Sequence, residues 1–456
     1  MTRFRHLILF VFLINGFTAW SQKDSLYHSV IGGKASGYWR TFFMATDNEG
    51  DLKDWNALAT GGKLKYETSS FYGFKIGAAV HHSSNLKISD ITATDPTTGR
   101  YSRYESGLFD VNDLSRTEIT LLGEAYLSYR LKGHFVQVGR FQLKTPFLNP
   151  EDGRMIPTLE QGIWYDYQSK KKTLFARLAW ITHIGARSTS DFMPVGQSIG
   201  SYPQGRNPDG SLAQYRNSLS SMGLGIASIE YKGKKVGAKF WNYYVDNIYN
   251  TAFIQAYVSK EVAKVKHTVS AQYLNQSKMN QGGNSDPAKA YVHDAQANVI
   301  GAQYELKWNK KWRVSGNYNY VTNDGRFLFP REWGREFLFV FQKRERLEGV
   351  SNTHAWMVDV QRTLTFKKAG ALVAKIGYGQ YYRPDALNFD NNKYAFPAND
   401  QLNLDLFYFT RSDKKGLVIE WLTTWKRALG DTYDNPKLVL NKVNMFNHNL
   451  VVNYRF

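Results

Sequence analysis

The sequence predicts an all-β protein, a transmembrane antiparallel barrel of about 18 strands. The chain has 456 residues, is rich in tyrosine and phenylalanine, and has no cysteine. Many stretches alternate apolar and polar residues over about ten positions, the length that a tilted strand needs to cross a bilayer. Aromatic residues make up 15% of the chain, which suits the aromatic girdles of such barrels. A secreted β-helix or a multi-domain lectin would share this composition, so the alternation decides.

The first residues predict export. A basic lead (MTRFRH), an apolar run (LILFVFLINGF) and the small-x-small ending Ala19-Trp20-Ser21 are typical of a secretory signal peptide. The apolar run is too short for a membrane helix. We therefore divide the chain into a signal peptide (1–21), a periplasmic N-terminal segment (22–35) and a barrel (36–456). The expected location is the outer membrane of a Gram-negative bacterium, crossed many times.

Alternation assigns the two faces of the strands. In TEITLLGEAYLSYR (117–130), Ile119 and Leu121 fall on the face expected to contact lipid, while Glu118, Glu124 and Arg130 fall on the other. The same division recurs in 401–411 and 417–425. Strands of soluble sandwiches are shorter and more closely spaced.

Connector lengths support the barrel. Short turns alternate with long loops, the arrangement expected for periplasmic turns and extracellular loops. The predicted strands are 36–45, 57–68, 71–81, 117–131, 134–142, 162–169, 173–182, 222–231, 234–244, 250–259, 264–275, 294–308, 312–321, 354–366, 371–383, 400–412, 417–429 and 445–456. The last strand ends in Phe456, and a terminal aromatic residue resembles the signal that the barrel assembly machinery reads.

One long connector, 143–161, carries charges of both signs: Glu151, Asp152, Arg154 and Glu160. By strand order it is the third extracellular loop, and loops of wide barrels often fold inward. We expect it to constrict the lumen.

This region also resembles the OprD-like porin family. The matching positions are Gly139-Arg140, Thr145-Pro146, Asp152–Arg154, Pro157 and Gly162, and GGKLKYETSSFYGFKIGAAV (61–80) is similar to the first hairpin of that family. The resemblance implies eighteen strands and passive diffusion of small carboxylates, amino acids and short peptides.

Charged residues should face the lumen, because Lys or Arg facing lipid at mid-bilayer costs about 2–4 kcal/mol. Beside the loop residues, we expect the solute path to include Arg40, Arg130, Arg177, Lys239, Arg313, Lys375, Arg383 and Arg411. An excess of arginine and lysine along a bore attracts anions. Arginines outside the strands (Arg326, Arg331, Arg335, Arg344 and Arg346) are expected to contact lipopolysaccharide phosphates or to fold over the mouth.

The sequence favours a porin without a cofactor over an enzyme. Gly196-Gln197-Ser198-Ile199-Gly200 matches G-x-S-x-G, but no strand precedes it, and we interpret it as a flexible loop. A calcium loop at Asp47–Asp51 stays open. An energy-coupled transporter would need a plug domain before the first strand, where we find no room for one.

Two alternatives remain, a phosphate-type anion channel and a non-conducting surface barrel for binding or adhesion. The expected partners are small hydrophilic solutes, outer-membrane lipid and lipopolysaccharide, and the assembly machinery. We expect no nucleic acid as a partner. The protein is expected to be a monomer or a trimer.

Overall fold

Strands dominate the computed structural model, which describes residues 25–150, 154–367, 369–410 and 415–456. The strands are β1 (Lys34–Asn48), β2 (Trp55–Glu67), β3 (Phe74–Asn85), β4 (Glu118–Leu131), β5 (His134–Phe141), β6 (Leu159–Gln168), β7 (Leu174–Gly185), β8 (Phe192–Pro194), β9 (Leu224–Lys232), β10 (Val236–Val245), β11 (Tyr249–Val262), β12 (Val265–Lys278), β13 (Gln296–Trp308), β14 (Trp312–Val321), β15 (Thr353–Phe366), β16 (Gly370–Tyr382), β17 (Asn399–Phe409), β18 (Gly416–Ala428) and β19 (Met445–Arg455).

Among the described residues, helices are few and short. They are α1 (Leu26–Ile31), α2 (Pro436–Val439) and the 3₁₀ turns Glu105–Leu108, Gly196–Ser198, Pro287–Lys289 and Arg331–Trp333. No helix in the described part of the chain is both long enough and apolar enough to span a membrane. The N-terminal segment before the barrel contains α1, whose first turn is capped by the hydroxyl of Ser25.

The sheet closes on itself. Each barrel strand pairs antiparallel with its neighbour, β7 pairs with β9, and β1 pairs with β19 over Tyr38–Asn48. The backbones of Gly37 and Phe456 exchange two hydrogen bonds (3.1 and 3.3 Å), which extend this pairing to the end of the chain. The three-residue β8 pairs with β7 and is not one of the eighteen barrel strands. The predicted eighteen-stranded barrel is confirmed.

The exterior is apolar. Leu64, Val269, Ile376 and Trp421 are each about half exposed, and each lies on the outer face of its strand. Their neighbours along the chain, including Lys63, Lys65, Lys375 and Glu420, face inward. A closed barrel with this apolar exterior has its backbone satisfied internally and can lie in lipid.

One predicted face is wrong along part of β4. Ile119 and Leu121 are buried inside the barrel, whereas Glu118 is on the exposed outer face. The cause is a β-bulge, because Ala79 pairs with Glu124 while the next residue, Val80, pairs with Leu122. One extra residue reverses the faces of everything before it. Glu124 and the residues after it have the predicted orientation.

The interior is not an open tube. A large apolar cluster fills the side of the lumen next to β6–β15, and its buried members from the loops include Phe147, Leu148, Phe329, Trp333 and Leu347. The opposite side is lined by polar and charged side chains and by a smaller apolar cluster at β1, β2 and β19. The chain therefore leaves an off-centre space rather than a central bore.

The two faces of β16 give a test of the membrane orientation. Ile376→Arg should lower the free energy of unfolding by about 2–4 kcal/mol, because the new charge would face lipid near the middle of the strand. Lys375→Arg puts arginine at the adjacent inward position, near Asp359 (3.6 Å from the lysine nitrogen), and should change stability little. Denaturant unfolding in lipid vesicles measures both. Equal losses would contradict the assignment of faces.

Candidate functional site

Two long loops meet inside the barrel. The loop after β5 and the loop after β14 are joined where Asn149 donates its backbone N–H to the carbonyl oxygen of Trp333 (3.0 Å). The Asn149 side chain also donates to the carbonyl of Arg335 (2.9 Å). Gly334 lies between them with φ +126°, and a Cβ there would lie 2.3 Å from the Asn149 oxygen. Only glycine permits this approach.

These loops, with those after β3, β16 and β18 and the connection between β7 and β9, enclose a cavity of about 870 Å³. It runs from Lys437 in the last extracellular loop down to Glu420 on β18. Among the described residues of its wall, fifteen are basic and three are acidic. The basic residues are Arg100, Arg103, Arg154, Arg187, Arg206, Arg216, Arg331, Arg335, Lys343, Arg344, Arg346, Arg383, Lys393, Lys437 and Lys442, and the acidic residues are Glu345, Glu348 and Glu420.

Some of these cations are held by carboxylates. Glu345, which is 4% exposed, binds Arg383 and the Lys426 ammonium (2.6 Å). Glu348 binds Arg331 (2.5 Å). Burial raises the pKa of Glu345, but Arg383 and Lys426 outweigh burial and lower it to about 2. The carboxylate therefore stays ionised and ties the loop after β14 to the barrel wall.

Other cations are held by neutral groups. Arg344 donates to the side-chain oxygens of Asn447 (2.8 Å) and Asn449 (2.5 Å) and lies over the ring of Tyr104. Its φ of +73° is unfavourable for arginine by about 1 kcal/mol or more, so these contacts must hold it in place. Burial, with Arg154 nearby, lowers its pKa to about 10, and it remains charged near neutral pH.

Arg100 and Lys442 are also held by neutral acceptors. Arg100 donates to the carbonyl of Lys437 (2.9 Å), and Lys442 donates to the carbonyls of Tyr394 and Ala395 (3.0 and 2.7 Å). Among the described residues, neither has a carboxylate partner. Amide and carbonyl acceptors fix these side chains without cancelling their charge.

Three predicted site residues lie together here. Arg154 and Arg383 line the cavity, and Arg40 donates to the Arg154 carbonyl (2.5 Å) and to Asn453 (2.7 Å). Arg154 itself donates to the carbonyl of Tyr104 (2.7 Å). Glu160 is fully buried, does not line the cavity and accepts the backbone N–H of Leu143. Glu151, Asp152 and Arg411 lie outside the described residues.

The remaining predicted residues face other parts of the lumen. Arg313 and Lys375 share Asp359 (2.6 and 3.6 Å). Arg177 binds Asp166 and Glu230, and Lys239 pairs in register with Glu230. Arg130 lines a separate cavity of about 510 Å³ with Lys63, Lys65 and Glu124, and its guanidinium lies over Phe135.

Several loop arginines that the sequence analysis did not place in the solute path line the cavity. Arg331, Arg335, Arg344 and Arg346 fold into the cavity wall, whereas Arg326 is buried elsewhere and donates to the carbonyls of Arg206 and Phe389. The usable signal was the stretch REWGREFLFVFQKRERLEG (331–349), where charges of both signs are interleaved with aromatic residues. A solvent-exposed loop would not need those aromatics.

The G-x-S-x-G stretch has a structural role. Ser198 is fully buried, donates to the carbonyl of Val195 and accepts the indole N–H of Trp333 (2.9 Å). The expected flexible loop is therefore a buried turn. In the described part of the chain, no three His, Asp or Glu side chains are grouped as a metal site requires.

Glu345→Gln should lower the free energy of unfolding by about 3–5 kcal/mol near neutral pH, because Arg383 and Lys426 would stay buried without their anion. Since the folded-state pKa is about 2 and the ordinary value is 4.5, the full difference from wild type appears above pH 4.5. It should fade as pH falls towards 2. Asp286→Asn, in an exposed pair with Lys289, is the control and should have almost no effect. A pH-independent loss for Glu345→Gln would refute the assignment.

Comparisons with known proteins identify the fold. No family model and no curated protein sequence matches the chain. Solved structures do: Pseudomonas aeruginosa OccK8 (OprE), at 15% identity and TM-score 0.68, is covered over 99% of its length by 94% of this chain. Acinetobacter baumannii OccAB4 gives 15% and 0.68, with 93% of this chain covering 98% of it.

A third structure, P. aeruginosa OccK2 (OpdF) in complex with glucuronate, is 12% identical with TM-score 0.66, and 94% of this chain covers 98% of it. The likeness at these identities extends to the fold and confirms the resemblance seen in the sequence at that level. The closed eighteen-stranded barrel and its apolar exterior agree with the expected location in a Gram-negative outer membrane. The chain has the OprD-like porin fold of an outer-membrane β-barrel.

Proposed function

We propose that the protein is a passive outer-membrane channel for small hydrophilic solutes, with a preference for anions that carry a carboxylate. The observation that carries this proposal is the charge of the cavity wall, where basic residues outnumber acidic ones by fifteen to three among the described residues. A narrow passage with walls of one sign concentrates counter-ions and guides them.

The way the cations are held supports this proposal more than their number does. Arg383 and Arg331 are neutralised by carboxylates and act mainly as ties. Arg344 and Arg100 have neutral acceptors and keep a full charge for a passing solute. Anions would then exchange part of their hydration for these donors, which must bind weakly enough to release them.

The structural neighbours add a substrate class. OccK2 (OpdF) has been solved with glucuronate, a sugar carboxylate, and a similar solute would suit this cavity. In liposome swelling, glucuronate should enter faster than an uncharged sugar of the same size. Equal rates would favour a non-selective pore, and no swelling would favour the non-conducting surface barrel.

A phosphate-type anion channel is the second candidate, because the same basic wall suits phosphate. Reversal potentials in a salt gradient, repeated with glucuronate and with phosphate, separate the two. Preferential permeation of phosphate would indicate a phosphate channel rather than a carboxylate channel.

Arg344→Gln should reduce the anion-to-cation permeability ratio by about threefold or more, because it removes an un-neutralised charge from the passage. Arg116→Gln is a matched control, since Arg116 is about half exposed, pairs with Asp110 and Asp113, and is not part of the cavity wall. Reversal potentials in planar bilayers measure both. If the two variants behave alike, Arg344 does not act on the permeating ions.

The part played by loop 143–161 is tested by Arg154→Ala. Arg154 lines the cavity and receives support from Arg40, so its loss should shift the reversal potential towards zero. An unchanged potential would remove the loop from the selectivity mechanism and leave the loop after β14 as the determinant. Heat-modifiable migration of the variant on gels verifies that the barrel is folded.

A further inference from the structure

Five cations surround one aromatic ring. Phe396, in the loop between β16 and β17, is 8% exposed. The charged ends that lie within 6 Å of its centroid are those of Arg103 (4.6 Å), Lys442 (5.3 Å), Lys426 (5.7 Å), Arg383 (5.8 Å) and Arg331 (5.9 Å). We call Phe396 and these five residues the Phe396 cluster. All except Lys426 line the 870 Å³ cavity.

The cluster has too few anions. Glu345 serves Arg383 and Lys426, and Glu348 serves Arg331. Five basic side chains therefore face two carboxylates. The excess falls on the two residues nearest to the ring, Arg103 and Lys442, neither of which has a carboxylate partner among the described residues.

Arg103 differs from every other cation of the cluster. Its guanidinium carbon lies over the rings of Phe396 (4.6 Å) and Tyr104 (5.8 Å), and these two rings hold the side chain. Hydrogen-bond donors lie in the guanidinium plane, and no acceptor in the described part of the chain engages them. A guanidinium held in this way presents a planar fork of donors that suits two oxygen atoms of an anion.

Burial and nearby like charge together disfavour the charged forms of Arg103 and Lys442. Burial, with Arg331 and Arg346 nearby, lowers the pKa of Arg103 to about 10. Burial, with Arg100 and Arg103 nearby, lowers the pKa of Lys442 well below its ordinary value. A bound anion would relieve both effects, because each cation would gain an opposite charge in a partly desolvated site.

Resting on the proposed channel function, we propose that the Phe396 cluster is a binding step for solutes that carry at least two negative charges, such as a phosphomonoester or a dicarboxylate. One anionic group binds the fork of Arg103, and the remaining charge faces Lys442. A monocarboxylate can satisfy only one of these cations. The site therefore binds divalent anions more tightly than monovalent ones because both cations are engaged. A general excess of basic residues would not give this selectivity.

Block of chloride current through single channels of the full-length protein tests the proposal. Inorganic phosphate at about pH 8, where it is mostly divalent, and succinate should block at about tenfold lower concentration than acetate. Arg103→Gln should abolish that difference while leaving a conducting channel. Arg116→Gln removes the same charge outside the cavity and should preserve it. Lys442→Met tests the second cation and should weaken block by both divalent anions.

The outcomes are distinct. Equal block by acetate, succinate and phosphate in the wild type would overturn the proposal, as would an unchanged preference in Arg103→Gln. In either case the channel and its anion selectivity would stand. Absence of any channel current in the wild type would overturn the proposed function itself and this inference with it.

Discussion

Every backbone N–H and C=O group of a sheet in lipid must find its partner within the sheet, and this constraint governs the protein. It is met only by closure, which here joins β1 to β19 and brings Phe456 against Gly37. Eighteen strands, however, enclose a space too wide to be filled by wall side chains alone. The long loops fold inward and fill it.

The side chains of these loops determine the position and charge of the remaining space. Their apolar residues, with Phe147 and Trp333 near the junction, pack as a core against the β6–β15 wall. Their charged residues face the opposite wall, where Glu345 ties the loop after β14 to Arg383 and Lys426, while Glu348 pairs with Arg331 within the same loop. The passage is thus off-centre and basic because a soluble-like core occupies the other side.

The sequence alone was enough to predict the barrel, but it was not enough to predict which residues line the passage. Period-two alternation, short turns and long loops predicted all eighteen barrel strands, since each signal is local. The bulge between Leu122 and Glu124 was missed because Leu121 and Leu122 are both apolar, so nothing in the pattern marks the extra residue. Alternation also says which residues face inward without saying which of them meet.

No local pattern in the sequence indicates which distant loops come together. Arg103, Arg344, Phe396 and Lys442 come from four different loops and converge only after the barrel has closed. Arg154 was chosen for its place in a charged loop, and it does line the cavity, but the basic character of the site comes mostly from its neighbours. The most direct measurement of the whole account is the single-channel current of the wild-type protein in a planar bilayer with a salt gradient. We predict discrete, small steps carried mainly by anions; absence of steps, or large steps without ion preference, would contradict the filled, basic lumen.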